Sequence, residues 1–222
     1  MAFTIRSSHS IWGDLHKGES RTIALYGTSL TIAEEPDASG AWVLEFRRWS
    51  RERFGERLCI INSAESGKNS QWGLENLNER ILSKQPDFIF IEFGMNDSYT
   101  PYNCTLKQAE RQIEELIRRI QDASARTGIA LMSMNPKIED ALEPVAPGKH
   151  NLLPAFYDLY AEAARRHDLD FIDHYSEWIA RELREPGYLK NNIRDGVHPQ
   201  GSAVVQVTWS NMKTYLNEVL ST

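Results

Sequence analysis

The chain has only two cysteines in 222 residues, Cys59 inside an apolar run and Cys104 in a polar stretch. The start, Met1-Ala2-Phe3-Thr4-Ile5-Arg6, has no apolar core of a secretory signal, so two cysteines do not make a disulfide framework and both are expected as free thiols. Long hydrophobic runs are also missing. The longest are a few residues, against the roughly 20 that span a bilayer, and no membrane segment is expected. Positive charge is in deficit, with Lys and Arg numbering 25 against 31 for Asp and Glu, for a net charge of -6. That balance leaves no electrostatic footprint for nucleic acid or an anionic membrane. There is no His-Glu-x-x-His or paired-cysteine pattern, and His9, His16, His150, His167 and His174 are scattered. The expectation is therefore a cytoplasmic protein with no metal, no cofactor and a small-molecule partner; self-association into a homo-oligomer stays open.

What is present is an alternation of two periods. Ile23-Ala24-Leu25-Tyr26 suits a buried strand and runs into Gly27-Thr28-Ser29-Leu30. Leu58 to Ile61, Phe88 to Phe93, Ile129 to Met134 and Leu169 to Asp173 are further strand-like runs, and the third is apolar almost throughout, as in a sheet covered on both faces. Between them, Trp42, Phe46 and Trp49 share a helical face, as do Leu74, Leu77 and Ile81. So do Leu106, Ala109, Ile113, Leu116, Ile117 and Ile120, in the clearest helix, read as 106–126 with Gly128 at its end. Phe156, Leu159, Tyr160 and Ala163 mark the next. Short helical patterns near 176–183 and 202–220 complete the chain. Five strands alternating with helices predict an α/β domain, a three-layer, flavodoxin-like α/β/α sandwich around a five-stranded parallel sheet. No repeat, low-complexity segment or linker interrupts it, so residues 1–222 read as a single domain with 1–20 as an N-terminal arm or a short antiparallel piece packed on the outside. The proline-containing segment 137–153 reads as an irregular loop long enough to bind something.

In a parallel sheet, ligands bind outside the carboxyl ends of the strands. Four segments there carry suggestive residues: Ser29 after the first strand, Gly67 after the second, Gly94-Met95-Asn96-Asp97 after the third, and Asp195-Gly196-Val197-His198-Pro199 before the last helix. Each alone also suits an ordinary turn or loop. Serine needs a base to take its proton, and His198 is the candidate. Asp195, three residues earlier, can reach the second ring nitrogen and fix the tautomer.

Together and in this order, the four segments resemble the SGNH hydrolase superfamily, also called GDSL esterases, from about residue 21 onward. The resemblance implies a flavodoxin-like fold and a serine esterase acting through an acyl-enzyme, with Ser29, Asp195 and His198 catalytic. It also implies an oxyanion hole from the backbone N–H groups of Ser29 and Gly67 and the side-chain amide of Asn96. Thr28 stands where the family usually has Asp, and Thr28 and Asp97 are expected behind the reacting groups. The first expectation for substrate is a small acyl group, acetyl-type, on a carbohydrate, with Trp72, Tyr99 and Tyr102 as aromatic side chains near the motifs. An acyltransferase using the same serine, a lysophospholipase or thioesterase, and a non-catalytic anion-binding domain built on the 27–29 loop are the alternatives.

Overall fold

A computed structural model describes residues 3–4, 11–33, 35, 38–139, 141–142, 150 and 152–221. Much of the predicted 137–153 loop and part of the predicted N-terminal arm therefore lie outside the described residues. The parallel strands are β2 (Arg21–Tyr26), β3 (Leu58–Asn62), β4 (Phe88–Ile91), β5 (Gly128–Ser133) and β6 (Asp170–Asp173). A two-residue strand β1 (Phe3–Thr4) pairs antiparallel with β6, giving the order β1-β6-β5-β4-β2-β3. The five parallel strands are those expected, and β1 extends their sheet by one antiparallel edge.

The helices are α1 (Ile11–His16), α2 (Ala41–Phe54), α3 (Ser70–Arg80), α4 (Gly94–Asp97), α5 (Leu106–Ala123), α6 (Leu153–Arg166), α7 (His174–Arg184), α8 (Tyr188–Asn192), α9 (Gly201–Val204) and α10 (Ser210–Val219). A π-helical turn, Val205–Trp209, joins the last two. Side chains alternate across the sheet. Ile23, Leu25, Phe88, Phe90, Ala130 and Met132 face a core shared with α1, α2, α7 and α10. Ala24, Tyr26, Ile89, Ile91, Ile129 and Leu131 face one shared with α3, α5 and α6. Burying both faces removes the apolar runs of β4 and β5 from water entirely, and each large side chain so buried contributes roughly 1.5–3 kcal/mol.

Two expectations need correction. Residues 11–16 are a helix whose Ile11, Trp12 and Leu15 are buried in the core, not part of an outer arm. Helix α5 stops at Ala123 rather than running to 126, and Gly128 opens β5 instead of capping the helix. At its start, Thr105 and Gln108 form a reciprocal capping box, which satisfies two otherwise orphaned backbone donors.

The chain steps outward from β2 to β3 and then returns past β2 to β4. The order thus reverses between β2 and β4, where a doubly wound sheet opens its crevice. Among the described residues no helix is long and apolar enough to cross a membrane, and Cys59 and Cys104 are free.

Candidate active site

Ser29 sits in the turn that follows β2, a turn closed by the Thr31 N–H donating to the Thr28 carbonyl at 3.0 Å. The turn is fastened from α2's side. Trp42 Nε1 donates to the Leu30 carbonyl at 2.9 Å and Ser39 Oγ to the Ser29 carbonyl at 3.0 Å. Because Trp42 is fully buried, its indole holds the loop from inside the core.

Ser29 Oγ lies 2.9 Å from His198 Nε2, across 169 residues of sequence. His198 Nδ1 lies 2.8 Å from Asp195 Oδ2. Asp195 Oδ1 accepts from the backbone N–H groups of Val197 and His198 at 2.8 and 2.7 Å. Burial raises the Asp195 pKa, but these hydrogen bonds outweigh it and hold the carboxyl below its ordinary value. An ionised Asp195 can only accept, so Nδ1 carries the proton and Nε2 keeps its lone pair toward the serine hydroxyl. Behind the loop, the buried Asn135 at the end of β5 donates to the Val197 carbonyl at 2.8 Å.

The β3 exit runs beside the Ser29 turn, with the Glu65 N–H donating to the Gly27 carbonyl at 3.0 Å. It then reaches Gly67, whose φ of 66° is left-handed and favours a residue without Cβ. Asn96 Nδ2 donates to the Lys68 carbonyl at 2.7 Å, and the Tyr102 hydroxyl donates to the Gly67 carbonyl. Asn96 therefore stands against the Gly67 turn. Among the described residues the backbone N–H groups of Ser29 and Gly67 have no protein acceptor, which leaves both available to a ligand.

Asp97 is buried. It accepts from Ser70 N and Oγ at 2.9 and 2.8 Å, and burial pushes its pKa up to about 7. It ties the start of α3 to α4. Thr28 is fully buried and directs its N–H and hydroxyl at Glu92. Glu92 is a residue that sequence reasoning passed over, although a lone charge ending the run Phe88-Ile89-Phe90-Ile91 is a visible signal. Asn135 was missed too, being one of many Asn-Pro steps a loop can contain.

The aromatic side chains divide. Tyr102 is 39% exposed beside Gly67, its ring edge-on to Tyr99, which stacks on the buried His150. Trp72 instead packs on Tyr26 near the Lys68 and Arg80 cations, a partly buried helix-start residue set against the core. A cavity of about 620 Å³, lined by Asp14, Arg21, Asp87 and Arg126 among others, opens at the opposite end of the strands and takes no part in this constellation. Among the described residues no group of three or more His, Cys, Asp or Glu is placed to hold a metal ion.

Comparison with known proteins places residues 25–202 within the model of the GDSL-like lipase/acylhydrolase family. Thioesterase 1/protease 1/lysophospholipase L1 of Escherichia coli strain K12 is 22% identical over 182 residues, covering 82% of this chain and 77% of that protein. Among solved structures, a lipase/acylhydrolase from Enterococcus faecalis superposes with a TM-score of 0.69 at 21% identity, covering 90% of this chain and 96% of the other. A catalytic mutant of an acetylxylan esterase from Geobacillus stearothermophilus superposes with a TM-score of 0.70 at 17% identity, covering 90% and 95%.

Proposed function

The chain belongs to the GDSL-like lipase/acylhydrolase family, and from that premise we propose that it is a serine esterase cleaving a small, acetyl-type oxygen ester carried on a carbohydrate. The observation that carries the reading is the hydrogen-bonded chain from Ser29 through His198 to Asp195.

In the proposed cycle, Ser29 Oγ attacks the acyl carbon while its proton passes to His198 Nε2. Asp195 stabilises the imidazolium that results. The carbonyl oxygen becomes an oxyanion and receives the backbone N–H groups of Ser29 and Gly67 and the second N–H of the Asn96 amide. The first N–H of that amide already fixes the Lys68 carbonyl, so the donor is oriented before substrate arrives, which is how such groups lower a barrier. Collapse expels the alcohol oxygen, and His198 returns its proton to it. A water then attacks the acyl-enzyme with His198 again as base, releasing the acid and restoring Ser29. Every proton moves between oxygen and the same ring nitrogen.

For substrate, the exposed Tyr102 ring beside Gly67 offers an aromatic face of the kind sugars stack on. The acetylxylan esterase from Geobacillus stearothermophilus is similar in fold. The test is a panel of p-nitrophenyl esters of increasing chain length alongside acetylated xylo-oligosaccharides. Fastest release from acetate esters and deacetylation of the oligosaccharides, both lost in Ser29→Ala, are expected. A preference for long acyl chains, or activity surviving Ser29→Ala, would contradict the proposal.

A further inference from the structure

The proposed cycle makes no use of Glu92, yet this side chain is fully buried at the end of β4 and all its hydrogen bonds go to the nucleophile turn. Its Oε1 accepts from Thr28 N at 2.6 Å, Thr31 Oγ1 at 2.7 Å and Thr28 Oγ1 at 3.1 Å, and Oε2 lies 3.1 Å from the same Thr28 hydroxyl. Thr28 Oγ1 in turn accepts from Leu30 N at 3.2 Å. Residues on both sides of Ser29 are thus tied to one carboxylate. Gly27 makes room for it, since a Cβ at that position would lie 2.1 Å from Glu92 Oε1.

A plain structural tie does not require a charge here. Among the described residues, the charged or titratable groups that act on Glu92 from other elements are Asp97 of α4 and the phenols of Tyr157 and Tyr160 of α6, and none of these is a cation. Burying a carboxylate without a counter-charge costs several kcal/mol, whereas a neutral amide or hydroxyl closes a turn more cheaply. What the carboxyl group adds is acceptance from several donors of the turn at once, which suits a turn that must hold one conformation.

Resting on the serine-esterase reading, we infer that Glu92 is a positioning residue for the nucleophile: through Thr28 and Thr31 it fixes the turn that presents Ser29 Oγ to His198 Nε2. The departure at residue 28 follows from this arrangement. Thr28 supplies the carboxylate with a backbone N–H and a hydroxyl donor, so the side chain in the place of the family's usual Asp is matched to Glu92.

The test compares wild type, Glu92→Gln and Thr31→Val, measuring kcat and KM on p-nitrophenyl acetate and the rate of labelling by a fluorophosphonate. Glu92→Gln keeps the shape but turns an NH2 toward the turn's donors. It is expected to lower kcat and the labelling rate together, roughly ten- to hundredfold, as a shift of about 1 Å in a reacting group does, with KM within about twofold. Thr31→Val removes a single bond and guards against a Glu92→Gln protein that does not fold; it is expected to move kcat and labelling in the same direction by a smaller factor, with KM again held. If wild type labels and both variants match it, or if the whole effect falls on KM, this inference is overturned while the esterase reading stands. A wild type that neither labels nor turns over overturns the esterase reading and this inference with it.

Discussion

Asn135 at the end of β5 donates its side-chain amide to the carbonyl of Val197 at 2.8 Å, across 62 residues of sequence. The residue before His198 is thereby held by the sheet itself. Asn135→Ala leaves that carbonyl without its partner, which costs about 1–3 kcal/mol, and it loosens the loop that carries His198. Urea unfolding should show the destabilisation, and kcat should fall on the order of tenfold with KM little changed. Unchanged stability together with unchanged kcat would show that the contact holds nothing.

Asp195 is kept ionised by His198 and by two backbone N–H groups. Asp195→Asn removes the acceptor that selects the Nδ1–H tautomer and is expected to lower kcat on the order of 10³–10⁴-fold, the size of effect such a change has in serine hydrolases. Circular dichroism and melting should remain close to wild type. A loss below about tenfold would show that His198 does not depend on this carboxylate.

Asn96 is expected to act on the oxyanion, so Asn96→Ala should lower kcat by about 10²–10³-fold. Part of that loss reflects the Lys68 carbonyl that Asn96 also holds. A boronate that mimics the tetrahedral adduct should weaken by a factor similar to the loss in kcat, while a ground-state substrate analogue should not. Equal weakening of both ligands would assign Asn96 to binding alone.

Burial, partly offset by hydrogen bonds, pushes the Glu92 pKa from 4.5 up to about 7. Between those values the folded protein holds a proton that the unfolded chain has released, so this residue's contribution to stability falls as pH rises through the interval. The buried His150 and His174 are pushed down to about 4 and about 3. They act in the opposite sense, and the buried Asp97, also pushed up to about 7, acts in the same sense as Glu92; all three are present in both wild type and Glu92→Gln. The variant should therefore gain stability relative to wild type between about pH 5 and about pH 8, by up to roughly 3 kcal/mol. Urea denaturation at both pH values measures this, and a constant difference would contradict it.

The parallel sheet was legible because its strands are short apolar runs separated by helical periods, and covering both faces leaves no polar alternation to confuse the pattern. Ser29, His198 and Asp195, which the structure brings together, were visible in the sequence as residue types in loops. Less could be read where the determinant is a long-range contact. Glu92 looks like the polar end of a strand until Thr28, 64 residues earlier, is seen against it. Helix α1 is a six-residue segment, too short to establish a period, so its burial of Trp12 and Leu15 leaves no local trace. The end of α5 was misplaced because Gly128 suits a helix stop equally well; its N–H instead donates to the Asp87 carbonyl at 2.9 Å at the entrance to β5.

Ser29 as the nucleophile is open to a direct chemical test. Wild type and Ser29→Ala would each be incubated with a fluorophosphonate, digested and mapped by mass spectrometry. One covalent adduct is expected, on the peptide containing Gly27-Thr28-Ser29-Leu30 and assigned to Ser29, and none in Ser29→Ala. A wild type that takes up no label, or an adduct that persists in Ser29→Ala, would contradict it.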